Sequence, residues 1–450
     1  MSADTPPPPE RPARVTFLLC AIIGGLAFTE QISNLVLPLT ISRFTDDAAI
    51  IGLILMLNPA FGFIAQPLVG VLSDRIWTPI GRRAFFLVTG APIVAICLWM
   101  LPHSAVLWHL VAAVVVYQFF QDVLWGSDHP LLADLVPPER RTFVKACLTT
   151  STQIVAFVFL KYGMGWAMDR FGEAFIYQVG AGTQIVLVAF VALFLKERKI
   201  KPLPRPKLTI KRYITDLWGD PSLRRFAMLA FSHAIFVSTV GGFVVLFAIK
   251  TIGIERSEFG QSWSWLAMIS LFCAIPLGYF AERLPKQWVL AAGYAIAMVG
   301  CVLGLQATGA ESFLGIALFF GFGVVLLDVT LKPFFTEFLP ADLVGQLSGA
   351  YNICFAVGRS MGLAGAGWVV SRLNNDYTAI WWIALFFGAT SIAIALSIRD
   401  GRYEARQNRP LTNSARPSSK PHDGFPPAKG SWRSTSPHPP VRPRPSPCFL

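Results

Sequence analysis

Nine ionisable side chains stand in stretches that are otherwise almost free of charge: Glu30, Asp122, Asp128, His129, Lys161, His233, Asp328, Lys332 and Arg359. An acid in an apolar run is costly as an anion, so it can take up and release a proton or pair with a base. Asp122 is the leading candidate for proton exchange, Lys161 is its candidate basic partner, and Glu30 is the second candidate acid. Helical spacing would put His129 on the face of Asp122 and Asn34 on the face of Glu30. Asp328 and Lys332, acid first at four residues, suit a bridge within one helix. Arg359 cannot lose its charge and needs a carboxylate, for which Asp328 or Glu30 would serve, with Asn352 one face-repeat earlier. The Asp122–Lys161 pair also has a plainer reading, an ion pair that only fixes helix packing, and substrate contact is the alternative for Asp328 and Lys332.

The elements that must hold these residues follow from composition. In 450 residues, 54% are hydrophobic and 14% charged, too apolar for a set of soluble domains. A bilayer-spanning helix needs about 20 mostly apolar residues. That rule predicts twelve, over 15–41, 48–72, 84–102, 105–134, 142–167, 174–195, 224–250, 262–281, 286–306, 312–336, 344–370 and 378–398. The expected class is an all-α membrane protein of twelve transmembrane helices in two pseudo-symmetric six-helix bundles. Its parts would be a cytoplasmic tail 1–14, a bundle 15–195, a basic central loop 196–223, a second bundle 224–398 and a disordered cytoplasmic tail 399–450. The first span is expected to stay rather than be cleaved as a leader.

The net charge of +12 is confined to the flanks of the spans. Residues 196–225 carry ten Lys/Arg, and 399–450 carry another ten. With both ends inside, the remaining basic residues also fall mostly on the cytoplasmic side, so the charge reads as orientation in an inner or plasma membrane, with no nucleic-acid partner. Seven cysteines without C-x-x-C spacing indicate neither a metal site nor a disulfide framework.

Between the second and third spans, Gly70-Val-Leu-Ser-Asp74-Arg75 is followed by Gly81-Arg82-Arg83. The eighth span ends on Gly278-Tyr-Phe-Ala-Glu282-Arg283, with glycine, acid and arginine at the same spacing. Asp134-Leu-Val-Pro137 and Glu337-Phe-Leu-Pro340 form a second matching pair, so the halves read as a parallel repeat. Asp74 closes a helix, where the dipole disfavours an anion and nearby arginines must compensate. Such a cluster suits a conformational switch better than catalysis, and Arg82 and Arg83 as mere topological anchors is the competing reading.

Gly70-x-x-x-Asp74-Arg75 with Gly81-Arg82-Arg83 resembles the signature loop of the major facilitator superfamily. The five residues between Arg75 and Gly81, with Gln66-Pro67 before and Leu-Ala-Asp134 closing the fourth span, are similar to the sucrose carriers and the wider glycoside-pentoside-hexuronide:cation symporter branch. The resemblance implies the major facilitator fold, with helices 1, 4, 7 and 10 around a central cavity, and coupling through an acid in helix 4 and a base in helix 5. It also implies comparison with carriers that hold sodium on helix 2 aspartates. Here that helix offers Asn58 and Gln66 but no acid within the span, which favours protons.

The expectation is therefore a secondary active transporter, not an enzyme, without cofactor or metal, carrying a small polar solute, most simply a sugar, together with a proton through the lipid bilayer. Interleaved aromatics (Phe119, Phe120, Trp125, Trp166, Trp263, Trp265, Tyr351) with amides would suit a sugar face. No P-loop or H-E-x-x-H sequence occurs. Two alternatives stand beside it: an exporter of an amphipathic compound with the same fold, and a membrane assembly or pigment-handling factor that transports nothing.

Overall fold

The computed structural model describes residues 12–137, 140–195, 219, 221–337 and 344–398; the side chains of Asp74, Arg75, Asp128 and His129 lie outside the described ones. Most of the basic central segment, the tail from 399 and nearly all of 1–14 fall outside as well.

Twelve helices are long and apolar enough to cross a membrane. They are α1 (Ala13–Ile41), α2 (Ala48–Gly70), α3 (Ala84–His103), α4 (Leu107–Trp125), α5 (Phe143–Phe171), α6 (Glu173–Phe194), α7 (Pro221–Ile252), α8 (Arg256–Ala281), α9 (Lys286–Leu305), α10 (Ala310–Phe335), α11 (Tyr351–Arg372) and α12 (Ala379–Ser397). Among the described residues there is no strand, only a bridge between Thr78 and Gly81. An even number of crossings puts Pro12 and Ile398 at one end, here called basal; the other end is distal.

The halves repeat one packing scheme. In the first, α1 packs on α5, α2 on α4, and α3 on both α4 and α6; in the second, α7 packs on α11, α8 on α10, and α9 on both α10 and α12. Two main seams join the halves among the described residues, α2 with α11 and α5 with α8, and the end of α1 adds a smaller contact with α7. Both depend on glycines. A Cβ on Gly52 would stand 2.5 Å from the Leu363 carbonyl oxygen, one on Gly367 2.4 Å from that of Ala48, and one on Gly260 2.3 Å from that of Leu160. With no hydrophobic effect between helices in lipid, such close backbone approach is what draws them together.

Three spans are locally wound as π-helix: Ile32–Val36 in α1, Phe159–Ala167 in α5 and Phe247–Ile252 in α7. In α1 the cause is sequence-local, because Pro38 has no N–H to offer the preceding turn. A π turn rotates the face that follows it. The fourth span departs from expectation: it stops at Trp125, turns at Gly126 and Ser127, and resumes as a separate short helix, Asp128–Leu135. Gly126 sits 3.1 Å (from its would-be Cβ) against the Gln66 backbone, so α2 crosses where the helix breaks.

Candidate functional site

A cavity of about 400 Å³ lies between the halves. Its first-half wall is mostly amide and hydroxyl: Gln31, Ser33 and Asn34 from α1, Asn58 from α2, Gln118 from α4 and Gln153 from α5. Its second-half wall is more varied, with His233 and Ser238 from α7, Trp263 from α8, Asp328 from α10, and Phe355 and Arg359 from α11. The π turn of α1 turns Ser33 and Asn34 to this space. Of the aromatics expected there, Trp263 lines it, whereas Trp265 is half exposed away from it.

Asp122 stands one turn beyond Gln118 on α4, behind the amide wall and 5% exposed. Gln66 donates to its Oδ1 at 3.0 Å, while Oδ2 has no hydrogen-bond partner among the described residues. Asn58 of α2 donates to Gln118 (3.1 Å) and to Glu30 (3.5 Å), so α2 ties the acid of α1 to α4 one turn from Asp122. Tyr117 donates to the Thr29 carbonyl at 2.8 Å and Gln121 to the Thr29 hydroxyl at 2.7 Å, which fixes the rotation of α4 against α1.

The expected Asp122–Lys161 pair is not made. Lys161 is exposed, 5.4 Å from the centre of the Phe157 ring, and lines a separate open pocket of about 700 Å³ with Trp166, Asp169, Arg170, Ser257 and Gln261. The π turn Phe159–Ala167 carries it outward, and a neutral amide, Gln66, takes the position beside Asp122. The expected sharing of a face between Asp122 and His129 falls on a side chain outside the described ones, with the helix break at Gly126 between the two residues.

In the second half the expected Asp328–Lys332 bridge does not form within 4.0 Å. Asp328 turns into the cavity, with its side chain 68% exposed there and Oδ1 4.0 Å from His233 Nε2, and Lys332 is exposed one turn on. Both charges reach open space, where an in-helix pair gains little. Arg359 likewise finds neither Asp328 nor Glu30; its electrostatic neighbour is Asp122, across the cavity and beyond 4.0 Å. Asn352 is exposed and does not line the cavity. His233 is both buried and cavity-lining.

At the basal end the loop after α2 is ordered by Gly81, whose φ of +120° needs glycine. Arg82 and Arg83 then fold inward, 7% and 2% exposed. Arg82 makes a forked pair with Asp134 (2.6 and 3.1 Å), and Arg83 Nε adds a contact at 3.4 Å. They are therefore more than surface anchors: they tie the start of α3 to the short helix after α4. In the second half Glu282 and Arg283 are exposed, and Arg283 lies over the Tyr279 ring at 4.1 Å.

The distal end carries contacts that cross between halves. Lys250 bonds Asp46 at 2.8 Å, and Asn375 accepts from the Ala48 N–H at 3.0 Å, capping α2 from the other half. Asn374 and Asn375 both take positive φ, the conformation in which asparagine costs least after glycine. Asp47 caps α2 through the Ala49 N–H at 2.9 Å. The Lys250 ammonium holds the Asp46 carboxyl below its ordinary value, and the Ser371 hydroxyl, then the Ala49 N–H, do so for Asp47.

Twelve spans, a repeated packing scheme and a polar cavity between the halves define a solute carrier. A family model described as the Major Facilitator Superfamily matches residues 17–363, and the chain belongs to that superfamily. Among curated proteins it is similar to the sucrose transport protein SUT3 of Oryza sativa subsp. indica, 29% identical over 98 residues, 22% of this chain and 19% of that protein. SUT4 of the same rice is 26% identical over 159 residues, 30% of this chain and 27% of that protein. The vacuolar membrane amino acid uptake transporter fnx2 of Schizosaccharomyces pombe is 28% identical over 155 residues, 34% and 26% respectively. These matches span about a fifth to a quarter of the relatives' own length. Among solved structures, the nucleoside transporter NupG aligns with a TM-score of 0.67 at 13% identity over 85% of this chain and 99% of that one. The peptide transporter POT in complex with sulfate gives 0.67 at 13%, over 86% and 95%. Those two likenesses show the fold.

Proposed function

We propose that the protein is a proton-coupled symporter of a sugar or glycoside that works by alternating access, with both termini cytoplasmic in an inner or plasma membrane. The observation that carries the coupling half is Asp122: a buried carboxyl with one oxygen held by Gln66 and the other without a donor. An ionised oxygen left so is costly in an apolar interior, and a proton carried on it is the simplest remedy. Sugar as solute is supported by the similarity to the rice sucrose transport proteins and by the amide wall of Asn34, Asn58 and Gln118, whose paired donors and acceptors suit ring hydroxyls. Alternation is supported by the distal contacts, Asp46–Lys250 and Ala48–Asn375, which hold one state and must part in the other.

The test is uptake of labelled mono- and disaccharides into proteoliposomes under an imposed pH gradient. Accumulation abolished by a protonophore is expected. Asp122→Asn should lose accumulation yet keep solute exchange, since a permanently neutral side chain removes only the coupled step. Full proton-driven uptake by that variant would remove Asp122 from the mechanism, and absence of any sugar flux in the wild-type protein would overturn the reading.

A further inference from the structure

Lys161 and Arg170 take no part in the central cavity; they line the open pocket of about 700 Å³ that α5 shares with Ser257 and Gln261 of α8. This pocket lies on the bilayer side of the α5–α8 seam. Leu160 and Trp263, from the same two helices, line the central cavity on the other side. Between the two the helices touch: a Cβ on Gly165 would stand 2.8 Å from the Ser257 Cα, and one on Gly260 2.3 Å from the Leu160 carbonyl oxygen. Tyr162 and Trp166, both more than half exposed, flank Lys161 on the outer face, and these ring types settle at membrane interfaces.

Lys161 lies well inside the span Phe143–Phe171, short of its distal end. Its ammonium stands 5.4 Å from the Phe157 ring, one turn toward the middle of the bilayer, so it does not reach up to the distal surface as a snorkelling lysine would. A cation on an outward face at that depth needs an anionic partner. No carboxylate oxygen lies within 4.0 Å of Lys161 or Arg170 among the described residues. We propose that this groove binds the headgroup of an anionic phospholipid from the distal leaflet, with Lys161 and Arg170 holding its phosphodiester. Two cations against the single acid Asp169 leave the groove net positive, which suits a headgroup of net negative charge better than a zwitterionic one. Ser257 and Gln261 add a hydroxyl and an amide for the glycerol part. The acyl chains have α8 to lie on, since its apolar stretch is 17% buried, the least of the twelve spans. Lys161 and Arg170 belong to the first half, Ser257 and Gln261 to the second, so a lipid held by all four bridges the halves and favours the distal-closed state. That bridging effect rests on the carrier reading above; the lipid site itself does not.

Native mass spectrometry of the purified, delipidated full chain tests the site with three probes: phosphatidylglycerol, phosphatidylcholine, whose phosphate is offset by a choline cation, and free sn-glycerol 3-phosphate. Phosphatidylglycerol should be retained about tenfold or more tighter than phosphatidylcholine, as two basic residues beside an anionic headgroup supply. The double variant Lys161→Gln, Arg170→Gln should erase that preference, and Lys161→Arg should keep it. Equal retention of the two lipids by wild-type protein overturns the site without any variant having to fold. Glycerol phosphate bound as tightly as phosphatidylglycerol would make this a site for a soluble phosphate and overturn the lipid assignment. In nanodiscs, spin labels at Arg43 and Glu311, exposed distal positions on opposite halves outside the groove, read the bridge. Replacing part of the phosphatidylcholine with phosphatidylglycerol should raise the ratio of distal-closed to distal-open protein by about fivefold or more in the wild type and leave it unmoved in the double variant. An unmoved ratio in the wild type overturns the bridge. Lipid retention involves no transport, so a failure of sugar uptake would overturn the carrier reading and leave the lipid site standing.

Discussion

Replacing Gly367 by alanine is the sharpest perturbation of the seam between halves. The added Cβ would stand 2.4 Å from the Ala48 carbonyl oxygen and 3.0 Å from the Gly52 Cα, both backbone atoms that cannot swing aside. Relief requires α2 and α11 to separate. Overpacking of this kind costs about 1–3 kcal/mol, and it falls only on the state in which the distal ends touch. The helix propensity gained by alanine is common to both states and cancels. A shift of that size multiplies the distal-open to distal-closed ratio by about 5 to 150. Spin labels at Arg43 and Glu258, exposed distal positions on opposite halves, report the change as a growing long-distance population in pulsed electron resonance on a cysteine-free background. An unchanged distance distribution in folded Gly367→Ala protein would refute the claim that this approach holds the distal end shut.

Asp134→Asn should lower thermal stability by about 3 kcal/mol, because Arg82 and Arg83 stay buried after their shared carboxylate loses its charge; a melting temperature equal to wild type would dismiss the cluster as structural. Asn375→Ala should open the distal end by about 1–2 kcal/mol, losing the cap on α2 and placing alanine at φ +61°, while Asn375→Gly restores the backbone but not the cap. The same labelled pair reads both.

The spans were legible because span length and hydropathy are properties of contiguous sequence. Eleven of the twelve expected helices have their counterparts within a few residues at most ends, and the exception is instructive: nothing in Asp122–Asp134 shows that Gly126 breaks a helix until α2 is seen crossing it. Membership of the superfamily was legible from the Asp74 loop for the same reason. Pairing was not. Lys161 and Asp122 suit each other chemically, yet which faces meet depends on π turns and helix rotation, and Thr29, Tyr117 and Gln121, which set that rotation, are uncharged residues that no charge-based reading singles out. Arg82 and Arg83 found Asp134, a residue already conspicuous in the repeat, but only folding brings the end of one loop to the end of the other.

The location of pH sensitivity follows from the distal contacts. Asp46 and Asp47 are held below their ordinary value of 3.8, by Lys250 and by Ser371 with the Ala49 N–H. A depressed carboxyl contributes stability that is fully present above its ordinary value and lost only as pH falls through the lower folded value. The two distal carboxylates therefore keep their charge across pH 5–8, so the distal latch and the proposed proton carrier Asp122, buried in the interior, are separate. The two regions separate experimentally. Lys250→Ala should raise the distal-open population in a manner that high salt erases, since the pair is exposed, and should leave the pH dependence of that population unchanged. Asp122→Asn should leave the salt response intact and flatten the pH dependence. A pH profile abolished by Lys250→Ala instead would move the sensor to the distal surface and sever Asp122 from coupling.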